Sequence, residues 1–373
     1  MTQVMRWISA AAAALVAPLA TAAQLIIGQV APLTGLEAIQ GRAYSVGLQL
    51  AFANANKGGG AGGHTLTLVR KDDGARPEDT LAATMQLLSE SKPLALAGYM
   101  GNRNIAELIK SGLLDKEKIA LVGYRTTEIR PSVPYMYSVR AGLRDEINKI
   151  AEHLVTVGIT RLGLFHEDGP GSPALTAAVD EITKRTGATI TVRATYPAGT
   201  ARVSPAIDAF LKTPPQAIVM LATGSAAAGF IEQYRLAGGG AQLFAQSGAD
   251  IEQLAQRLGE ETMQGIAIAQ VTPSPYKISS KLAKEFADTV AKTATMEVPP
   301  SYAMMEGFIA GKVIAEAVRR MGRASSREAF VAAMDSIDNF EMGGYRVGFK
   351  PGVPAGSRFV ELSIVTSAGK IRQ

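Results

Sequence analysis

The sequence contains no cysteine among its 373 residues and only three histidines. Without cysteine, disulfide bonds, thiolate zinc sites, iron–sulfur clusters and cysteine nucleophiles are excluded. The histidines, His64, His153 and His166, are far apart in the sequence, so no histidine-rich metal cluster is expected. We therefore predict that the protein has no metal site, and nothing in the composition indicates a cofactor.

The sequence also lacks a block of charge of one sign. It has 38 Lys and Arg residues against 33 Asp and Glu residues, a formal net charge of +5 at pH 7. No run of five or more basic residues is present, so this mild excess does not indicate nucleic-acid binding. We expect no nucleic-acid partner.

The first 23 residues differ from this mixed pattern. Arg6 is followed by an apolar, alanine-rich stretch from Trp7, the only tryptophan, to Leu19, and then by small residues up to Ala23. This pattern is typical of a secretory signal peptide that is removed on export. The stretch is short for a transmembrane helix of ~20 residues, and an uncleaved anchor is the alternative interpretation. We predict a signal peptide over residues 1–23.

After the signal peptide, short apolar runs alternate with helical patterns in two successive units. Strands are predicted over residues 25–30, 64–70, 94–98 and 119–123, and then over residues 161–166, 189–195, 217–221, 242–245 and 265–271. Helices follow most of them, the first from Gly41 to Asn56 after a loop over residues 31–40. Strands that alternate with helices indicate parallel sheets with right-handed crossovers.

We therefore predict an α/β protein with two Rossmann-like lobes, since a single core seldom grows beyond ~250–300 residues. Lobe 1 comprises residues 24–140 and 273–340, and lobe 2 comprises residues 141–272 and 341–373. Three chain crossings, near residues 139–142, 271–276 and 340–345, form a hinge between the two parallel central sheets.

Motifs of common enzymes and nucleotide-binding proteins are absent or misplaced. The glycines of residues 58–63 follow a helix and precede a strand, the reverse of a dinucleotide fingerprint. The segment from Gly307 to Lys312 is one residue too short for a phosphate-binding loop and lies within a predicted helix. His166 with Glu167 and Asp168 is an acid–base candidate, although a hydrogen-bonded histidine at a strand end is the simpler interpretation. We predict that the protein is not an enzyme.

Polar residues follow several predicted strands, at the carboxyl ends where open α/β sheets bind ligands. The candidates for ligand binding are Gln40, Tyr99, Asn102, Arg103, Tyr124, Arg125 and Thr126 in lobe 1, and Thr223 and Ser247 in lobe 2. A helix that begins with asparagine and an arginine at a strand end are suited to a carboxylate. A surface arginine and a capping asparagine are the alternative interpretation.

The order of these segments resembles the periplasmic substrate-binding proteins of branched-chain amino-acid ABC transporters, which have the type I periplasmic binding protein fold. The resemblance rests on IIGQVAPLTG, on NANKGGG before HTLTLVRKDDG, on LALAGYMGN and on SYAMMEGFIAGKVIAEAV. It implies a periplasmic protein that captures a small ligand between two closing lobes and delivers it to permease subunits in the inner membrane. We expect a monomer, because the cleft and its rims must stay free.

The resemblance also assigns positions. It places Gln40 where the family has an aromatic residue over the ligand, and Asn102 where a serine binds the ligand carboxylate. Residues 123–126, which begin with Gly123, match a region that also holds the carboxylate. Thr223 replaces a tyrosine, and Ser247 replaces the glutamate that pairs with the ligand ammonium. These departures indicate a carboxylate ligand that is either an amino acid or an aromatic acid, aliphatic acid or amide without an α-ammonium.

Two alternatives stay open at this point. An ammonium group needs another acidic partner, for which Glu167, Asp168 and Asp250 are candidates. The same fold also serves exported ligand-sensing modules that contact a receptor or regulator, and fold alone does not decide between transport and sensing.

Overall fold

A computed structural model describes residues 23–366 and 371–372 of the chain. Except for Ala23, the predicted signal peptide lies outside these residues. Within the described residues, every helix is too short or too polar to span a membrane.

Strands and helices alternate along most of the chain. The strands are β1 (Gln24–Ala31), β2 (Thr65–Asp72), β3 (Ala95–Met100), β4 (Leu121–Arg125), β5 (Met136–Tyr137), β6 (Arg161–Asp168), β7 (Thr189–Pro197), β8 (Ala217–Leu221), β9 (Gln242–Ala245), β10 (Ala267–Gln270), β11 (Phe340–Glu341), β12 (Arg346–Val347), β13 (Glu361–Val365) and β14 (Ile371–Arg372). The helices are α1 (Ala38–Lys57), α2 (Pro77–Ser91), α3 (Asn102–Lys110), α4 (Leu113–Glu117), α5 (Leu143–Thr156), α6 (Ser172–Thr186), α7 (Ser204–Lys212), α8 (Gly224–Leu236), α9 (Ile251–Arg257), α10 (Glu260–Met263), α11 (Lys281–Ala291), α12 (Tyr302–Met321) and α13 (Arg327–Asp335), with a 3₁₀ turn at Ser247–Ala249.

The strands form two main sheets, one in each lobe. The lobe 1 sheet has the order β2-β1-β3-β4-β5 and all its pairs are parallel. The lobe 2 sheet has the order β14-β13-β10-β9-β8-β6-β7; the pairs β10–β13 and β13–β14 are antiparallel, and the other pairs are parallel. The predicted α/β architecture with two lobes is therefore confirmed.

The central strands show why the sheets are parallel. Strands β3 and β8 are buried along their whole length and consist almost entirely of apolar residues. Continuous apolar strands of this kind need helices on both faces of the sheet, which strand–helix–strand crossovers supply. The same crossovers bring the carboxyl ends of the strands to one edge of each lobe.

Helices α1 and α12 pack closely in the core of lobe 1. A Cβ atom at Gly47 would lie 2.1 Å from the Met304 carbonyl oxygen, and one at Gly307 would lie 2.2 Å from the Tyr44 carbonyl oxygen. Only glycine permits this approach of the two backbones. Helix α12, from the second sequence segment of lobe 1, is thereby packed against α1 from the first segment.

The first two chain connections are held together by one buried tyrosine. The Tyr345 hydroxyl lies 2.9 Å from the carbonyl oxygen of Val139 and 3.0 Å from that of Val271. These two carbonyls belong to the first and the second connection. Tyr345 therefore ties the hinge segments to each other in the interior, where it is 1% exposed.

The third connection lies later in the sequence than the predicted residues 340–345. Met342, Tyr345 and Val347, in and around the β11–β12 hairpin, are buried in the core of lobe 1. Val360 packs instead in the core of lobe 2, and the Ser357 amide donates to the Arg140 carbonyl oxygen at 3.4 Å. The hairpin keeps its apolar side chains in lobe 1, so the chain crosses near Ser357.

Candidate functional site

A cavity of about 350 Å³ lies between the two lobes at the carboxyl ends of their strands. We call it the inner cavity. It is lined by Pro32, Glu37, Gln40, Ala75, Pro77, Met100, Gly101, Asn102, Arg103, Asn104, Arg125, Thr126 and Thr127 of lobe 1, by Arg140 of the first connection, and by Glu167, Tyr196, Gly199, Thr200, Ala201, Thr223, Ser225, Ala226 and Gly248 of lobe 2. Small-molecule sites measure ~300–1,000 Å³, so this space suits a small ligand.

The inner cavity brings together a majority of the residues that the sequence singles out. Those that line it are Gln40, Asn102, Arg103, Arg125, Thr126 and Thr223. Helix α1 begins at Ala38 rather than at Gly41, so Gln40 lies in the first helical turn and not in the predicted loop. Asn102 and Arg103 begin α3, and Arg125 is the last residue of β4. Whether they bind a ligand stays a prediction.

The structure does not bring Tyr99 or Gly123 to the inner cavity. Strand β3 continues to Met100, two residues beyond its predicted end, so Tyr99 lies within the strand. Its hydroxyl lies 3.0 Å from Thr84 Oγ1 of α2, and burial raises the pKa of Tyr99. Gly123 has φ +66°, and a Cβ there would lie 2.3 Å from Tyr44 Oη. Both residues therefore belong to the packing of lobe 1.

Tyr124 and Ser247 also lie outside the inner cavity. Tyr124, within β4, lines a separate cavity of about 190 Å³ on the hinge side of the sheet. Ser247 begins the 3₁₀ turn, where its Oγ accepts a hydrogen bond from Arg140 Nη2 and its amide donates to Glu146 Oε2 at 2.6 Å. The next residue, Gly248, lines the cavity instead. Ser247 is thus fixed in an ionic network behind the cavity wall.

Arg125 of lobe 1 belongs to the same buried network. Its Nη1 donates to Gln40 Oε1 at 2.7 Å and lies 3.5 Å from Asp250 Oδ2, while its Nε lies 3.3 Å from Glu306 Oε2. The side chain of Arg125 is only 7% exposed, and those of Asp250 and Glu306 are 2% exposed. The charge of Arg125 is therefore already balanced by two carboxylates of the chain.

Arg140 extends the network to the hinge. Its Nη1 lies 3.3 Å from the same Glu306 oxygen, and its Nη2 donates to Glu146 Oε1 at 2.9 Å. Burial raises the pKa of Glu146, while the nearby Arg140 charge and the Ser247 amide oppose that rise. The two carboxylates raise the pKa of Arg140 against the effect of its burial. The network thus joins lobe 1, lobe 2 and the first connection.

Two further glutamates face the inner cavity. Burial raises the pKa of Glu37 and of Glu167, and both line the cavity, Glu37 from lobe 1 and Glu167 from lobe 2. Asp168 does not line the cavity. Asp250 forms an ion pair with Arg125 and accepts a hydrogen bond from the backbone amide of Gln253 at 2.9 Å. Sequence reasoning named Glu167 but missed Glu37, whose only signal was its place in the loop after β1.

Helices α3 in lobe 1 and α8 in lobe 2 both begin at the inner cavity without a side-chain cap, as do α1 and α2 of lobe 1. Asn102 Oδ1 accepts instead from Thr126 Oγ1 and from the Thr127 amide, both at 2.8 Å, and so fixes the loop after β4. The first amides of a helix lack intrahelical partners and attract anions. The exposed Arg103 lies beside them and makes no hydrogen bond or ion pair with any residue that the structure describes.

The lobes contact each other across the cleft in this structure. Gln40 Nε2 of lobe 1 donates to Gln253 Oε1 of lobe 2 at 2.6 Å. A Cβ at Gly224 of lobe 2 would lie 2.0 Å from Glu37 Oε1 of lobe 1. The lobes are therefore closed, with polar side chains and a glycine at the contact. Within residues 23–366, no group of His, Asp and Glu side chains is arranged to hold a metal ion.

The chain is similar to a known protein family and to several characterised proteins. Residues 24–357 match a family described as periplasmic binding protein. A substrate-binding periplasmic protein from Ralstonia solanacearum is 34% identical, with 93% of this chain and 99% of that chain covered and a TM-score of 0.85. A branched-chain amino acid transporter substrate-binding protein from Streptococcus pneumoniae, solved with isoleucine, has a similar fold at 17% identity, with coverages of 94% and 98% and a TM-score of 0.76. An amino acid binding protein from Pseudomonas aeruginosa is 33% identical over 77 residues, which is only 21% of either chain.

Proposed function

The chain belongs to the periplasmic binding protein family, and we propose that it captures a small carboxylate-bearing ligand, an amino acid or a related organic acid, for delivery to an ABC importer. Members of this family are substrate-binding proteins of transporters rather than enzymes. The proposal is supported above all by the uncapped starts of α3 and α8, which belong to opposite lobes and both line the inner cavity.

A carboxylate suits this position because it interacts with both lobes at once. The amides at the start of α3 belong to lobe 1, those at the start of α8 belong to lobe 2, and each helix end attracts negative charge. Arg103 adds a positive charge that no described carboxylate pairs with at ion-pair distance. An anion held between the lobes stabilises the closed arrangement, which couples binding to closure.

Glu37 and Glu167 are the partners for a second polar group of the ligand. An α-ammonium in the inner cavity would meet these two carboxylates rather than Asp168 or Asp250. Amino acids therefore stay within the proposed ligand class although Ser247 occupies the family's glutamate position. A ligand hydroxyl or amide could donate a hydrogen bond to the same two carboxylates. With an acid that has no second hydrogen-bond donor, the two carboxylates would be hydrated instead.

Export and delivery form part of the same proposal. Residues 1–23 are a signal peptide, the mature protein works in the periplasm as a monomer, and its partners are inner-membrane permease subunits. The family and the signal-like first residues support this assignment. Deletion of the gene should abolish high-affinity uptake of the acid identified in vitro, and a plasmid copy should restore it. Unchanged uptake would contradict the transport role.

The binding proposal is tested with ligand triplets that share one carbon skeleton. L-leucine, 4-methylpentanoate and 4-methylpentanamide form one such triplet, and aromatic skeletons supply others. A ligand at 100 times its Kd stabilises a protein by about 2.7 kcal/mol, which a thermal-shift assay on the chain from residue 24 detects. We expect stabilisation by the carboxylates and not by the amides. Stabilisation by amides alone, or by no carboxylate in the panel, would contradict the proposal.

Variants locate the two ends of the ligand. Arg103→Ala should weaken carboxylate binding about tenfold, as expected for loss of one charge-assisted contact, whereas Arg185→Ala, an exposed arginine on α6, should not. Glu167→Gln and Glu37→Gln should weaken L-leucine but not 4-methylpentanoate. If Arg103→Ala and Arg185→Ala changed carboxylate affinity equally, Arg103 would not contact the ligand. If the glutamate variants weakened L-leucine and 4-methylpentanoate equally, the two glutamates would not contact the ammonium group.

A further inference from the structure

We propose that the cleft accommodates an elongated monocarboxylic acid, whose uncharged tail leaves the inner cavity and occupies a second space beside it. This inference rests on the proposed function for the carboxylate end. The second space, the outer cavity, has a volume of about 290 Å³ and lies between the start of α3 and the start of α6. It extends the cleft to a size that a small amino acid does not fill.

The two cavities adjoin along a shared wall. Pro77, Asn102, Arg103, Thr127 and Glu167 line both of them. Arg103 and Glu167 come from opposite lobes, so the passage between the cavities lies in the interface that closes on the ligand. Arg103 makes no hydrogen bond with the described residues, and its side chain can therefore move aside without breaking one.

The far side of the outer cavity is largely apolar. Ala106 of α3, Leu175 of α6, Leu221 at the end of β8, and the loop residues Pro170 and Ala198 line it. Leu175 and Leu221 are only 7% and 3% exposed, so they present a fixed apolar wall. An alkyl chain or ring loses water on such a wall and gains affinity with each methylene group.

The charges of the outer cavity indicate which end of the ligand it takes. Glu107, Glu128 and Glu167 line it against a single arginine, Arg103, while Lys110 and Arg130, which pair with Glu107 and Glu128, do not line it. A carboxylate placed there would be repelled. The ligand carboxylate therefore belongs at the helix starts of the inner cavity, and the tail carries no second carboxylate.

Chain-length dependence tests the inference. Isothermal titration of the chain from residue 24 with butanoate, hexanoate, octanoate and octanedioate separates the two cavities. We expect affinity to rise from butanoate to octanoate by about fourfold for each methylene that becomes buried. Octanedioate should bind at least tenfold more weakly than octanoate.

Filling variants supply the controls. Ala106→Leu narrows only the outer cavity and should weaken octanoate at least tenfold while butanoate binding stays within twofold. Ala198→Leu fills the same space from the opposite side and serves if Ala106→Leu disturbs α3. Ala177→Leu, at an exposed position of α6 that lines neither cavity, should change neither ligand.

The outcomes separate this inference from the proposed function. Butanoate binding without a gain for octanoate, or octanoate binding that both filling variants leave unchanged, would overturn the outer cavity as a tail site and leave the carboxylate site intact. Equal binding of octanoate and octanedioate would overturn the exclusion of a second carboxylate. If no carboxylate of any length or skeleton bound, the proposed function would fall and this inference with it.

Discussion

Replacing Arg125 by methionine tests whether this arginine holds the protein together rather than holding a ligand. The Arg125 side chain is 7% exposed and lies 3.3 Å from Glu306 and 3.5 Å from Asp250. Methionine keeps much of the side-chain volume but leaves these two buried carboxylates without that cation. Removal of one partner of a buried ion pair costs about 3–5 kcal/mol, so Arg125→Met should lower the free energy of unfolding by that amount.

Urea unfolding followed by far-ultraviolet circular dichroism measures this loss. The only tryptophan is Trp7, so the chain from residue 24 offers no tryptophan fluorescence. Arg103→Met is the matched control, since Arg103 is exposed and unbonded, and its free energy of unfolding should stay within about 0.5 kcal/mol of wild type. Adding Glu306→Gln to Arg125→Met should restore part of the loss, because Arg140 would otherwise be the one cation left for the network's three carboxylates, Glu146, Asp250 and Glu306.

Unfolding and ligand-binding measurements should therefore distinguish the roles of Arg125 and Arg103. Arg125→Met should act mainly on stability, and Arg103→Met mainly on carboxylate affinity. A loss of less than about 1 kcal/mol in Arg125→Met, well below the range for a broken buried pair, would refute this structural role of Arg125. A double variant with Glu306→Gln that is no more stable than Arg125→Met would refute it too, since the network would then not depend on charge balance.

Other positions give independent tests. Burial raises the pKa of Glu252 to about 8, so the folded state binds the proton more tightly than the unfolded state, and stability should fall as pH rises from about 4.5 to 8. Glu252→Gln should make this slope shallower in thermal melts, and curves parallel to wild type would contradict the role of Glu252. Tyr345→Phe should lower the free energy of unfolding by about 1–3 kcal/mol in urea, because two buried carbonyls lose a shared hydroxyl, and a loss near zero would exclude this role. Gly224→Ala should weaken the ligand-driven decrease in radius of gyration seen by X-ray scattering, because its Cβ would displace the Glu37 carboxylate from the closing contact. Gly187→Ala, also at positive φ but with no atom within 4 Å of its Cβ, should compact like wild type, and equal behaviour of the two variants would refute the closing contact.

The sequence predicts the fold well because the fold depends on local patterns. An error of one or two residues in the end of a strand or helix does not change the predicted order of the elements. That order is enough to predict two lobes with parallel sheets. The same small errors matter more at the site. Strand β3 ends at Met100 rather than at Gly98, and this shift places Tyr99 inside the lobe while Met100 lines the cavity. Side chains of a strand alternate between faces, so the end of the strand decides which residue reaches the ligand.

The ionic network could not be predicted, because it depends on residues far apart in the sequence. Arg140 contacts both Glu146, six positions away, and Glu306, 166 positions away. No local pattern marks a buried arginine as the partner of a distant glutamate. Arg125 shows the consequence: its place at a strand end indicated a ligand contact, while Asp250 and Glu306, which balance its charge, come from other segments.

The chemistry of the closing contacts explains how a ligand can control this cleft. At the cleft, the lobes meet through polar contacts, those of Gln40 with Gln253, of Arg125 with Asp250 and of Glu37 with the backbone at Gly224. Separated apolar faces would lose about 25 cal/mol for each Å² exposed, which would hold the lobes shut. Polar groups regain water when the lobes part, so much of their interaction energy is returned. Under the proposed function, a carboxylate that interacts with α3 and α8 together would supply the free-energy difference that favours the closed arrangement.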